Sequence, residues 1–209
     1  PKAVIMLEVA SHYSMEDAEA QANQLIEDLE KNNFGYALPK IYGTDIDKIN
    51  ELRKAGLGLL GSIVGDNKAA DSIEDTAVEL SDLPNYIAEF SAMMERHGQS
   101  AIYYAHAGAG ELHLRPVLNL KTKEGLHQFR NIATEVAVLV KKYRGSLSGE
   151  HGDGIVRGEF LPFMIGDQNY ELLKRIKSAF DPNAILNIGK IVNAFKMDEN
   201  LRVEAGRIE

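Results

Sequence analysis

The chain has 209 residues, 44% hydrophobic and 26% charged, with a formal net charge of −8. That is material for one large domain or two small ones with a buried core, and the acidic balance argues against nucleic acid or an anionic membrane surface as the main partner. The absence of cysteine excludes disulfides, thiolate-held zinc and a bound iron–sulfur cluster within this chain, and fits a reducing, cytoplasmic setting.

No apolar run approaches the roughly 18 residues of a membrane span, and no signal peptide is recognisable. Pro1-Lys2 leads without an initiator Met into the apolar run Ala3 to Leu7, and Ala3 to Ala10 reads as a buried strand. A chain that starts this way is expected to be a piece of a longer protein. Ser14, with Asp17 three residues on, caps a helix whose stripe Ala18, Ala22, Leu25, Ile26 and Leu29 runs to about Lys31. A short strand is predicted over Tyr36 to Tyr42, a helix over Asp45 to Leu57, and a strand over Ser72 to Val78. Ser81 is read as the cap of a helix carrying Leu83, Ile87, Phe90 and Met94, which ends at His97-Gly98.

Strands follow at Ala101 to Ala105 and Glu111 to Leu118. The glycines between them predict a hairpin with positive-φ positions. A long helix is predicted from Lys123 to Tyr143, with Phe129, Ile132 and Val136 inward, and a last helix from Tyr170 to Phe180, stopped by Asp181-Pro182. The charged residues from Phe195 onward read as a trailing segment. The pattern predicts an α+β fold, an antiparallel sheet with helices on one face.

Four motifs bear on chemistry. Gly56-Leu57-Gly58-Leu59-Leu60-Gly61 matches a dinucleotide fingerprint, but it follows a helical stretch where that fingerprint requires a strand. It reads as a helix end. In the second, His106 and His113 flank a glycine turn, where a hairpin can bring both to one ion. Two histidines alone also fit a satisfied core residue and a surface one. In the third, Gly149-Glu150-His151-Gly152-Asp153-Gly154, three glycines leave room for close approach to a ligand. Glu150 could complete a His/His/Glu set with His106 and His113, the pattern of catalytic zinc with an open position. His151 would stand beside it as a general base, although a tight loop with an incidental histidine also fits. In the fourth, Asp181 to Lys190 forms a capped loop offering Asn187 and Lys190.

Together the segments at 106–113, 149–154 with Arg157, and 180–190 resemble the C-terminal domain of FAD-linked oxidases of the vanillyl-alcohol-oxidase superfamily, in particular flavoproteins acting on D-lactate, glycolate and D-2-hydroxyglutarate. The resemblance implies a ferredoxin-like antiparallel sheet and a dehydrogenase oxidising a 2-hydroxy acid to a 2-oxo acid. Residues 1–209 would then be one substrate-side domain: about 1–178 the cap, and about 179–209 a segment returning to the flavin. An N-terminal domain of the same chain would hold most of the FAD. The resemblance assigns His106, His113 and Glu150 to a divalent ion, commonly zinc, and His151 to the base. It assigns Arg53 to the substrate carboxylate, and Asn187 with Lys190 to the flavin side. Glu111 stands where many members have Asn, and with Arg115-Pro116 it resembles the larger branch that carries an iron–sulfur region downstream. A free-standing metal-dependent hydrolase and a non-catalytic anion-binding module remain the alternative readings.

Overall fold

The structure is a computed structural model that describes residues 3–206, apart from the side chains of Leu57 and Leu60. It divides into two compact units, the first ending at Ala55 and the second beginning at Gly56.

The first unit contains helix α1 (Met15–Lys31). Ser14 caps it as expected, its hydroxyl accepting the Asp17 N–H at 3.1 Å. The stripe Ala18, Ala22, Leu25, Ile26 and Leu29 is half-buried between exposed polar positions. Helix α2 (Thr44–Gly61) runs on through Gly56 and Gly58 to Gly61, so the glycine run is a helix end and not a phosphate-binding turn. The strands expected at 3–10 and 36–42 do not form; both segments are irregular. Val4 and Ile5 remain 73% and 81% exposed. An apolar run becomes a strand only where a neighbour supplies the ladder hydrogen bonds, and among the described residues none pairs here.

The second unit holds strands β1 (Lys68–Ala69) and β2 (Glu74–Ala77), helix α3 (Leu83–Arg96), strands β3 (Ala101–His106) and β4 (Glu111–Leu118), and helices α4 (Lys123–Lys142), α5 (Leu161–Ile165) and α6 (Asp167–Phe180). Strand β4 is central and antiparallel to its neighbours, with β3 along one side and β1 and β2 in succession along the other. Beyond β2, Ala77 bridges Ser146 in antiparallel fashion. Taking β1–β2 as one interrupted strand and Ser146 as a vestigial fourth, the order is 4-1-3-2 with two strand–helix–strand halves. This is the ferredoxin-like α+β arrangement.

Alternation along β4 separates the two sheet faces. Leu112, Leu114 and Leu118 join Phe90, Ile132 and Val136 of α3 and α4 in the core. The intervening Glu111, His113 and Arg115 therefore point to the face opposite α3 and α4. Their partners on β3 are His106, Tyr104 and Ile102. Helix α3 starts after a 3-10 turn at Leu80–Asp82, with Asp82 at the cap position. The expected Ser81 cap is displaced by one residue because the turn absorbs the start.

The segment after Phe195 does not trail. Met197 is fully buried, and its N–H donates to Glu159 at 2.9 Å. Asp198 accepts both Arg130 Nε and a terminal guanidinium nitrogen. One apolar anchor flanked by charges leaves no periodicity for the sequence to show.

Candidate metal centre

His106 ends β3, and a 3-10 turn at Ala107–Ala109 leads to Gly110 in the left-handed region at φ 71°. Gly110 is required twice over. Its φ disfavours other residues, and a Cβ there would lie 2.1 Å from the Val78 carbonyl oxygen. His113 follows two residues into β4 on the same face as His106, ring centroids 5.4 Å apart. Glu150 arrives from the loop after the Ser146 bridge. Its Oε1 lies 3.7 Å from His113 Nε2 and 3.9 Å from His106 Nε2.

Three ligand atoms, one from each residue, thus lie within 4.8 Å of one another. Donors about 2.1 Å from a tetrahedral ion are roughly 3.4 Å apart, so the two histidine–Glu150 separations need close by only a few tenths of an ångström for the group to share one ion. Burial foremost, then the neighbouring His106, pushes the His113 pKa down. This favours the neutral imidazole that a metal requires. The donor set and its spacing therefore fit a divalent ion.

Asp75, Glu150 and His151 form a second such group, but the Asp75 carboxylate is already occupied. It accepts the N–H of Glu150 at 2.8 Å, the N–H of His151 at 2.9 Å and the Ser148 hydroxyl. Burial pushes its pKa up, yet these bonds and one from Glu111 outweigh burial and hold it well below the carboxylate range. Glu111 moves the opposite way. Burial, then the hydrogen bond to Asp75 and the charge of Glu150, push it up to about 7.

His151 stacks on His113, centroids 5.6 Å apart at 25°. Its Nε2 is 3.1 Å from Glu150 Oε1, and its Nδ1 is 3.6 Å from Glu74 Oε1. Glu74 in turn pairs with Arg115. The His151 side chain is 45% exposed, so a ligand can reach it.

The other sequence-predicted residues lie elsewhere. Arg53 is on α2, in the first unit. Asn187 and Lys190 stand on the exposed loop after α6, bonded to each other at 3.3 Å. Asp181 organises that loop by accepting the N–H groups of Ile185 and Leu186. Sequence reading missed Glu74 and Asp75. Two adjacent acids between Ile73 and Thr76-Ala77-Val78 in a predicted strand were the available signal, since buried carboxylates occur where something pairs with them.

The sequence model of the FAD linked oxidases, C-terminal domain, matches residues 2–191, and the chain belongs to this family. It is 41% identical over 150 residues to a D-2-hydroxyglutarate dehydrogenase of Pantoea ananatis, covering 72% of this chain and 15% of that protein. It is 40% identical over 146 residues to the D-2-hydroxyglutarate dehydrogenase of Escherichia coli K12, covering 70% and 14%. Against a D-lactate dehydrogenase of Archaeoglobus fulgidus the identity is 33% over 128 residues, covering 61% and 28%. The chain thus spans only a small part of the length of these relatives. No helix among the described residues is long and apolar enough to cross a membrane.

Proposed function

We propose that the chain is the substrate-side part of a flavoprotein dehydrogenase that oxidises a 2-hydroxy acid to the 2-oxo acid. The observation that carries this reading is the convergence of His106, His113 and Glu150 beside His151, on the sheet face opposite α3 and α4. Family membership supplies the flavin context. The relatives with the higher identities are named for D-2-hydroxyglutarate, and that acid is the first substrate to test.

In this reading His106, His113 and Glu150 hold a divalent ion, zinc in the first instance. A bound ion would draw in the substrate's hydroxyl and carboxylate oxygens and lower the hydroxyl pKa, while FAD would accept the hydride from C2. His151 takes the hydroxyl proton on Nε2. Glu74 Oε1 lies 3.6 Å from its Nδ1, on the far side of the ring from Nε2. Arg53 pairs with a substrate carboxylate. Residues of about 1–178 form the cap, and the segment from about 179, with Asn187 and Lys190, faces the flavin held by the N-terminal domain. A downstream iron–sulfur region and a cytoplasmic setting belong to the same reading, supported by the Glu111 and Arg115-Pro116 pattern and by the cysteine-free sequence.

The test is anaerobic flavin reduction in the full-length protein. D-2-hydroxyglutarate should bleach the flavin rapidly. Chelator should abolish the bleaching and added zinc restore it, and His113→Ala should not respond. Bleaching at the parent's rate in both the chelated protein and His113→Ala would remove the metal from the reaction.

A further inference from the structure

We infer that Asp75 is the positioning residue that presents both Glu150 and His151 to the reacting centre, an inference that rests on the dehydrogenase reading above. Three observations converge on it. The pairing of β2 with β4 slips between Glu74, opposite His113, and Thr76, opposite Leu112. Asp75 is therefore the extra residue of a β-bulge, a device that re-aims a side chain out of its ladder.

Its backbone sits at φ 81°, where a non-glycine residue is strained and persists only if its surroundings hold it there. The surroundings do hold it. The side chain is fully buried, and its two oxygens receive the N–H of Glu150, the N–H of His151 and the Ser148 hydroxyl. Its own carbonyl accepts the Gly149 N–H at 2.7 Å.

Arg157 closes the arrangement from the other side. It donates to the Glu74 carbonyl and, at 2.8 Å, to the Gly152 carbonyl, and its guanidinium lies 3.7 Å from Asp75 Oδ2. The 149–153 loop has glycines at 149 and 152 and little side-chain bulk to fix its shape. Its placement therefore depends on these bonds, and a ligand and a base on consecutive residues are aimed by one carboxylate.

The test compares Asp75→Gly, Asp75→Asn and, as reference, His113→Ala in the full-length protein. Glycine adopts a φ of 81° without strain. Asp75→Gly thus removes the carboxylate while relieving the backbone, and its melting temperature should stay within a few degrees of the parent. Zinc affinity, read by competition with a chromophoric chelator, should weaken about 10–100-fold. The kcat should fall by a similar factor, with KM moving less. Asp75→Asn should lie between, because one amide oxygen still accepts one N–H. Parent-like affinity and kcat in a folded Asp75→Gly, with His113→Ala impaired, would overturn the positioning role and leave the metal reading standing. Parent-like zinc affinity in His113→Ala would sink the metal reading itself, and this inference with it. If Asp75→Gly does not fold, Asp75→Asn decides: a partial loss of affinity with an intact melting transition supports the role, and none overturns it.

Discussion

Tyr104 and His113 are direct partners across the β3–β4 ladder, their rings 5.4 Å apart at an angle of 30°. The same Tyr104 ring meets His106 edge-on at 6.4 Å. One aromatic side chain therefore packs against both histidines of the candidate centre, and a face-on neighbour restricts the χ2 freedom of an imidazole. Tyr104→Ala should weaken zinc binding several-fold and cost about 1 kcal/mol of stability, whereas Tyr104→Phe should stay near the parent on both counts. Zinc competition and thermal unfolding read the two effects. Equal affinities in the Ala and Phe proteins would show that the ring does not orient the ligands.

The hairpin that brings the histidines together depends on one glycine of its two. At Gly110 a Cβ would meet the Val78 carbonyl oxygen at 2.1 Å and φ is 71°, whereas a Cβ at Gly108 meets nothing within 4 Å. Gly110→Ala should destabilise the protein by about 2–4 kcal/mol and disturb zinc binding, because the backbone between His106 and His113 must shift. Gly108→Ala should be close to neutral. Chemical denaturation of the pair checks the contrast, and similar values for both would contradict the close approach at Val78.

These particulars show what the sequence could and could not carry. The boundaries of β4 and α4 were legible because alternation and a 3.6-residue stripe are local patterns. The His106, His113 and Glu150 grouping was legible because glycine-rich segments flank ligand-type side chains. The bulge at Asp75 was not, since a one-residue register slip arises only when β2 meets β4. Nor was the burial of Met197, which depends on Arg130 and Glu159 far away in the chain. The apolar runs at 3–10 and 36–42 failed in the opposite sense, carrying strand composition without a strand neighbour.

Met197 yields its own prediction. It is fully buried in the core of the second unit, and truncation of a buried methionine removes both transfer energy and packing. Met197→Ala should cost about 2–5 kcal/mol, far more than a change in a solvated tail. Equilibrium unfolding gives the answer, and a loss below about 0.5 kcal/mol, the range of ordinary surface positions, would return the segment to the solvent.

Arg53 can be separated from the metal by kinetics. Losing a charge-assisted contact of about 1.5–3 kcal/mol corresponds to about a tenfold or greater rise in KM. Arg53→Ala in the full-length protein should show that rise with an almost unchanged melting temperature, because Arg53 is on a part-exposed stretch of α2. Zinc affinity should not move. Unchanged steady-state kinetics would take Arg53 out of the substrate site.

The loop that carries Asn187 and Lys190 has a pH signature. Asp181 accepts Lys177 at 2.6 Å and the N–H groups of Ile185 and Leu186 at 3.0 and 2.9 Å. The Lys177 bond foremost, then the two backbone bonds, hold its pKa down at about 2 against an ordinary 3.8. A carboxylate whose folded pKa is lowered contributes stability that is fully present above the unfolded value and is lost as pH falls through the folded one. The contribution should therefore be complete at neutral pH and decline from about pH 4 to about pH 2. Asp181→Asn removes the charge at every pH, so the gap in melting temperature between parent and variant should be widest at neutral pH and narrow across that window. If the loop presents Asn187 and Lys190 to the flavin, the same variant should also shift the flavin absorbance of the full-length protein at neutral pH. A gap that stays constant with pH would show that the Asp181 charge does not hold the turn. A shifted melting temperature with an unchanged flavin spectrum would confine the role of Asp181 to the fold and detach the loop from the cofactor.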